Sequence, residues 1–222
     1  MKNTIGDVIC MKDEEVIKYW RENLSLPENF NKEDIMNFWD LEGRSYSVKV
    51  DTVKQFCNEN DIQILIETGT YNGDMIDAVI KDFKKIISIE LDEKLYQAAK
   101  HKFVEFPHIS ILRGDSGELL SKILESIQEP CIFWLDAHYV PNTTNTARGD
   151  LDTPILQELD SIFDHSIKNH VILIDDARCF IGPNPLLDDY PTIQELENFV
   201  KDKRPELYFE VKEDIVCIYS KS

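Results

Sequence analysis

From Ile64 onward the chain alternates short β-rich apolar runs with longer amphipathic stretches, and this alternation restricts the fold to a parallel sheet wrapped by helices. The runs are ILIE (64–67), IISIE (86–90), ISILR (109–113), CIFWLD (131–136) and VILID (171–175). Helical stretches fall between them at Gly73–Phe83, Glu93–Phe103, Gly117–Ile127 and Thr153–Phe163. Their apolar residues recur three and four apart, as at Leu119, Leu120, Ile123, Leu124 and Ile127. The strand runs are nearly continuous in apolar character, so both sheet faces are expected to be covered. A further helix is expected in PTIQELENFVKD, after Pro191 and Thr192, and LYFEVKEDIVCIYS reads as two strands around a turn near Lys212 to Asp214.

The expected fold class is therefore α/β: a doubly wound, Rossmann-like, seven-stranded sheet with an antiparallel C-terminal hairpin over residues 61–222. Residues 1–60 differ in character. MKDEEVIKYWRENL and KEDIMNFWDLEGRSYSVKVDTVKQFCNEN are helical in pattern and carry Trp20 and Trp39. Large apolar side chains of this kind need burial, so a helical N-terminal extension is expected to pack on the sheet or cap the active-site face. A dimer contact is the other use such helices have.

Composition narrows the function. Apolar residues at 42% and charged residues at 30% of 222 fit a soluble globular chain with room for one sizeable core. No apolar run approaches the ~20 residues needed to cross a bilayer, and MKNTIGDVICMKDEEV breaks its apolar residues with charge too early for a secretion signal. A cytoplasmic protein without a membrane partner is expected. The net charge of −18 repels phosphate backbones, which argues against DNA or RNA as a partner. Cys10, Cys57, Cys131, Cys179 and Cys217 are scattered and odd in number, so reduced buried thiols are expected.

The segment ILIETGTYNGD sets a strand against a turn with glycines at positions 69 and 73 and then a helix, an arrangement that lets backbone approach a ligand closely. It does not read GxGxxG, the dinucleotide fingerprint. Glu67 ends the first run and Glu90 the second, while Asp115 and Ser116 follow the third in ILRGDSGELL. A carboxylate at Glu90 has two oxygens able to accept two O–H donors, although acids at that place also occur in NAD-binding folds. Asp115 and Ser116 equally suit a helix N-cap.

The order of these segments, with the terminal hairpin, resembles class I S-adenosylmethionine-dependent methyltransferases. Motif I of that family is an acid followed by xGxxxG or a variant, and the present segment has one fewer glycine than its fullest form. The resemblance covers Ile64 to the C-terminus. It implies S-adenosylmethionine as cofactor, with Glu67 and the Gly69–Gly73 turn at the methionine end, Tyr71 beside it, Glu90 on the ribose and Asp115 with Ser116 on the adenine.

Asp136 in FWLDAHY, and Asp175 with Asp176 in LIDDAR, close the fourth and fifth runs, at the edge where open α/β sheets bind ligands. Three converging carboxylates repel one another unless a cation intervenes, and Mg²⁺ held by Asp136, Asp175 and Asp176 is one resolution. A turn cap at Asp175 and Asp176, with Arg178 neutralising one of them, is another. The arrangement resembles metal-dependent O-methyltransferases of the catechol and macrocin type, which implies Asp136 and His138 as catalytic residues. His138 has an unperturbed pKa near 6.5, suited to a general base, and reads equally as a structural histidine. Arg148 and Arg178 are candidates for an anionic group or for ion pairs. The long loop Pro141–Pro154 is a candidate specificity element.

The pattern also resembles methyltransferases of surface-polysaccharide and secondary-metabolite pathways, which implies a small sugar or glycan-precursor hydroxyl as acceptor. A nucleotide- or nucleotide-sugar-binding dehydrogenase and a non-catalytic nucleoside-binding module are the alternatives.

Overall fold

The computed structural model describes residues 32–139, 147–182 and 189–221, with side chains from Tyr46 onward. The expected helix at 11–24 with Trp20, and positions 140–146 of the long loop, lie outside the described residues.

The elements run α1 (Lys32–Asn60), β1 (Ile64–Thr68), α2 (Asp74–Val79), β2 (Lys85–Glu90), α3 (Glu93–Lys102), β3 (Ile109–Arg113), α4 (Ser116–Leu124), β4 (Ile132–Leu135), α5 (Ile155–Asp164), β5 (Val171–Ile174), a 3₁₀ turn (Ala177–Cys179), α6 (Ile193–Lys203), β6 (Tyr208–Lys212) and β7 (Ile215–Tyr219). Polar side chains start the helices where local chemistry asks for it. Asp92 accepts the N–H groups of Lys94 and Leu95 at α3, and Thr192 with Glu195 forms a capping box at α6. The helix expected at Gly73–Phe83 is shorter, and that at Thr153–Phe163 begins after Pro154.

The seven strands lie in the order β3-β2-β1-β4-β5-β7-β6. β1 to β5 are parallel, and β7 enters antiparallel between β5 and β6. The expected α/β sheet with its antiparallel hairpin is thus the observed fold. The order reverses between β1 and β4, and at such a switch point the neighbouring connections leave toward opposite faces and open a crevice beyond the strand ends.

Alternation along the strands separates two cores. Ile64 and Ile66 of β1 face Leu120 and Leu124 of α4 and Leu159 and Ile162 of α5. Leu65 faces the other way, toward Ile76 and Val79 of α2 and Val53 and Cys57 of α1. Val50, Val53 and Cys57 fall at helical spacing, so one stripe of α1 is part of the second core. The N-terminal end of this stripe, at Tyr46 and Lys49, lies toward the carboxyl edge of the sheet. Cys57, Cys131, Cys179 and Cys217 are buried free thiols, and Cys10 lies outside the described residues. Among the described residues no helix is long and apolar enough to cross a membrane.

Candidate active site

The turn after β1 needs glycine first for internal reasons. Gly69 has φ +85°, and a Cβ there would sit 2.4 Å from the carbonyl oxygen of Asp136. Its N–H donates to Ile89 O at 2.9 Å, so Gly69 is wedged between the ends of β2 and β4. Gly73, at φ +73°, would place a Cβ 2.6 Å from the Phe103 ring. Both positions combine left-handed backbone with close packing, and both exclude a side chain.

Glu67 is buried and accepts a hydrogen bond from Ser88 Oγ at 2.5 Å; the Ser88 hydroxyl is in turn 2.6 Å from Thr70 Oγ1. Burial pushes its carboxyl up to about 8 against the opposing pull of the Ser88 hydrogen bond. Glu90 is also buried, and its two oxygens accept the backbone N–H groups of Asp92 and Tyr71, each at 2.8 Å. Burial raises its pKa, and those two N–H groups act against the rise. Tyr71 itself has φ 47° and is 47% exposed, so its side chain is not part of the core. Asp115 caps α4 through Oδ1, which accepts the Gly117 N–H at 2.9 Å. A Cβ added at Gly149 would come within 3.0 Å of Asp115 Oδ2, so the described end of the long loop passes beside this acid. Ser116 is buried and turned toward Glu158 of α5. Burial brings the Glu158 carboxyl up to about 7, opposed by the hydroxyls of Ser116 and Thr68.

Beyond β4 and β5 the acids have a different company. His138 Nδ1 lies 3.1 Å from Asp136 Oδ1, and its Nε2 lies 3.6 Å from Asp176 Oδ2. Burial by itself would lower the His138 pKa, but the hydrogen bond and charge of Asp136, joined by Asp176 and Asp175, lift it to about 9. Asp176 has a left-handed backbone, φ 55°, which turns the chain sharply after β5. Its Oδ1 accepts from Arg178 Nη1 at 2.8 Å and from Lys49 Nζ at 3.2 Å. Arg178 Nη1 also donates to Asp214 Oδ2. Asp175 takes the N–H of Asp176 on Oδ1 at 2.8 Å and the Lys49 ammonium on Oδ2 at 2.8 Å. Burial leads in raising Asp175 well above the usual carboxylate range, with Asp136 and Asp176 adding to it. Burial opposes the lowering of Asp176 by His138, Lys49 and Arg178. Arg148, a candidate for anion contact, pairs with Asp152 through Nε at 2.8 Å and stacks over Tyr139 at 5.4 Å.

No family model matches the chain, and no curated protein matches it in sequence. Solved structures do match in shape. The O-methyltransferase TomG of Streptomyces achromogenes, in complex with SAM, aligns at a TM-score of 0.55 with 11% identity, covering 97% of this chain and 96% of its own. An SAH-bound methyltransferase of Podospora anserina aligns at 0.53 with 14% identity, covering 100% and 99%. The N-methyltransferase NodS of Bradyrhizobium japonicum WM9 aligns at 0.51 with 10% identity, covering 81% and 97%. This is the class I methyltransferase fold. At such identities the likeness is one of fold, and the atom methylated differs even among these three neighbours.

Glu67, Gly69, Tyr71, Gly73, Glu90, Asp115 and Ser116, the residues expected at the cofactor, lie at or just past the ends of β1, β2 and β3, on the side of the β1/β4 switch point where those three strands stand. Glu90 and Asp115 each keep acceptor capacity beyond their backbone partners, because a carboxylate has about four lone-pair sites. These acceptors therefore suit a ligand bearing hydroxyl and amino groups. The metal expectation meets a different geometry. Among the described residues, ligand atoms of Asp136, His138 and Asp176 lie within 4.8 Å of one another, and Asp175 is not in that group. Asp175 is turned to Lys49, both oxygens of Asp176 face cationic side chains, and His138 bridges Asp136 and Asp176. The trio of Asp136, Asp175 and Asp176 does not converge on one oxygen-lined centre, so no step is routed through a metal ion. Lys49, Tyr46 and Glu158 were not singled out from the sequence. Lys49 lies 126 residues from Asp175, and no local signal marked the pairing.

Proposed function

We propose that the protein is an S-adenosylmethionine-dependent methyltransferase that methylates a hydroxyl of a sugar or another small hydroxylated metabolite. One observation carries the reading: Glu67, Glu90 and Asp115 stand at the tips of three adjacent strands beside the switch point of the class I methyltransferase fold. Neighbours of that fold that hold SAM or SAH support the choice of cofactor. When bound, the cofactor supplies an electrophilic sulfonium methyl group.

The chain's residues would do the rest. Glu90 accepts the ribose hydroxyls, Asp115 Oδ2 the adenine amino group, and the Gly69 turn leaves room for the methionine end. His138 Nε2 takes the proton of the acceptor hydroxyl while Asp136 holds the Nδ1–H, the orienting relation that a third group gives a catalytic base. Holding the oxygen near the methyl carbon, in line with the leaving sulfur, supplies much of the rate. The strongly acidic surface favours a neutral or cationic acceptor over a polyanion.

Calorimetry with the full chain tests the reading. S-adenosylhomocysteine is expected to bind and NAD is not; tight NAD binding with no response to S-adenosylhomocysteine would replace the methyltransferase with a dehydrogenase-like enzyme. Cofactor binding without methyl transfer to any offered hydroxyl, amine or thiol would point to the nucleoside-binding module instead.

A further inference from the structure

The acid cluster beyond β4 and β5 already contains a cation, delivered by α1. Lys49 is 4% exposed and its ammonium lies 2.8 Å from Asp175 and 3.2 Å from Asp176. An ammonium seldom loses its water without a fixed partner, because desolvation is costly and only close opposite charge offsets it. Here the position is fixed from behind: Val50, Val53 and Cys57 of the same helix are locked into the core, so Lys49 is held at the cluster by packing. Arg178 faces Asp176 from the other side at 2.8 Å.

We propose that the Lys49 ammonium serves as the cation of this cluster in place of a divalent metal ion, holding Asp175 and Asp176 so that Asp176 faces His138. A metal ion among these acids would share the same carboxylate with two fixed positive groups and be repelled by both. With Lys49 and Arg178 seated, Asp175 and Asp176 have cationic partners without an ion, and the Asp136–His138–Asp176 arrangement is assembled by the docking of α1. Lys49 is in this sense a positioning residue, acting through the aspartates rather than on the acceptor. Asp136, His138 and Asp176 offer three ligand atoms within 4.8 Å with Lys49 in place, and removing Lys49 would take away one of the two fixed cations that compete with an ion for Asp176.

The inference uses the proposed methyl transfer only to give the site a purpose. Its test needs neither cofactor nor acceptor, so it fails or succeeds apart from the calorimetry above. Mn²⁺ is titrated into the full-length protein and the free ion is followed by its electron paramagnetic resonance signal. The wild type is expected to leave Mn²⁺ free, Lys49→Ala to take up one ion at least about tenfold more tightly, and Lys49→Arg to behave as the wild type does. Uptake of one ion per chain by the wild type, abolished in Asp176→Asn, overturns the proposal. So does a folded Lys49→Ala protein whose Mn²⁺ affinity equals that of the wild type. Circular dichroism establishes folding, and Lys49→Met, which keeps the bulk of the stem, replaces the alanine variant if that one does not fold. The wild-type titration needs no variant at all.

Discussion

The carboxyl edge of the sheet holds two groups of acids that are satisfied in opposite ways. At β1, β2 and β3, Glu67, Glu90 and Asp115 accept hydrogen bonds from a hydroxyl and from backbone N–H groups. At β4 and β5, Asp136, Asp175 and Asp176 face His138, Lys49 and Arg178. Neutral donors supplied by nearby backbone leave lone pairs free for a ligand's hydroxyl and amino groups. Cationic side chains, by contrast, settle charge, and they come from wherever in the chain a cation can be brought. The first half keeps free acceptor positions at its strand tips, while the second is a set of ion pairs around one histidine.

The comparison breaks most sharply at Lys49. Lys49→Ala leaves buried Asp175 without its cation and Asp176 with Arg178 alone, and is expected to cost about 3–5 kcal/mol of stability, measured by denaturant unfolding. A loss below 1 kcal/mol would mean the second half does not depend on its charge pairs. Next is Gly69→Ala, which forces a side chain onto the Asp136 carbonyl at φ +85°. About 1–3 kcal/mol of backbone strain is expected, together with loss of S-adenosylhomocysteine binding, because the turn lies between the two halves.

Acidity sharpens the contrast further. His138 is raised to about 9 from its usual value near 6.5, so its contact with Asp136 is fully stabilising below about 6.5 and is lost as pH rises through about 9. Methyl transfer needs the neutral ring and should climb over the same interval, each unit of pH below 9 lowering the rate about tenfold. A pH–rate profile flat from 7 to 10 would remove His138 as the base. Glu67 acts in the same direction from a lower starting pH. With its folded pKa near 8, it weakens the fold progressively as pH rises from its unfolded value of about 4.5 to about 8. The smallest effect is expected at Asp115→Asn. Asparagine caps a helix about as well as aspartate, so stability should stay within about 0.5 kcal/mol, while S-adenosylhomocysteine affinity drops several-fold. If affinity is unchanged, Asp115 is only a cap.

Much of the first half could be read directly from the chain. Each acid there closes a strand or opens a helix, and two of them have a partner two residues away: Glu90 with Asp92 and Asp115 with Gly117. Period and punctuation are local signals, and local signals survive in a sequence. The boundaries of α2 and α5 were less legible, because the last apolar residues of an amphipathic run can pack as turns as well as helix. The second half was read only in part. Asp136, His138, Asp175 and Asp176 were found as strand-end residues, yet their mutual balance was not, because repulsion among like charges can be relieved by any cation the fold supplies. From the sequence a metal ion and Arg178 were the visible choices; Lys49, one residue in a long amphipathic helix, had no marking that separated it from a surface lysine.

By itself, then, the sequence determined the alternation of strands and helices, their parallel sense and the acids at the first strand tips, since these follow from the side-chain period and from caps within reach of a few bonds. Tertiary structure alone decided that Gly69 answers to the Asp136 carbonyl and that Lys49 answers to Asp175 and Asp176. Those contacts join residues far apart in the chain, and the free energy of a buried charge depends on which groups surround it in space, not on which precede it in order.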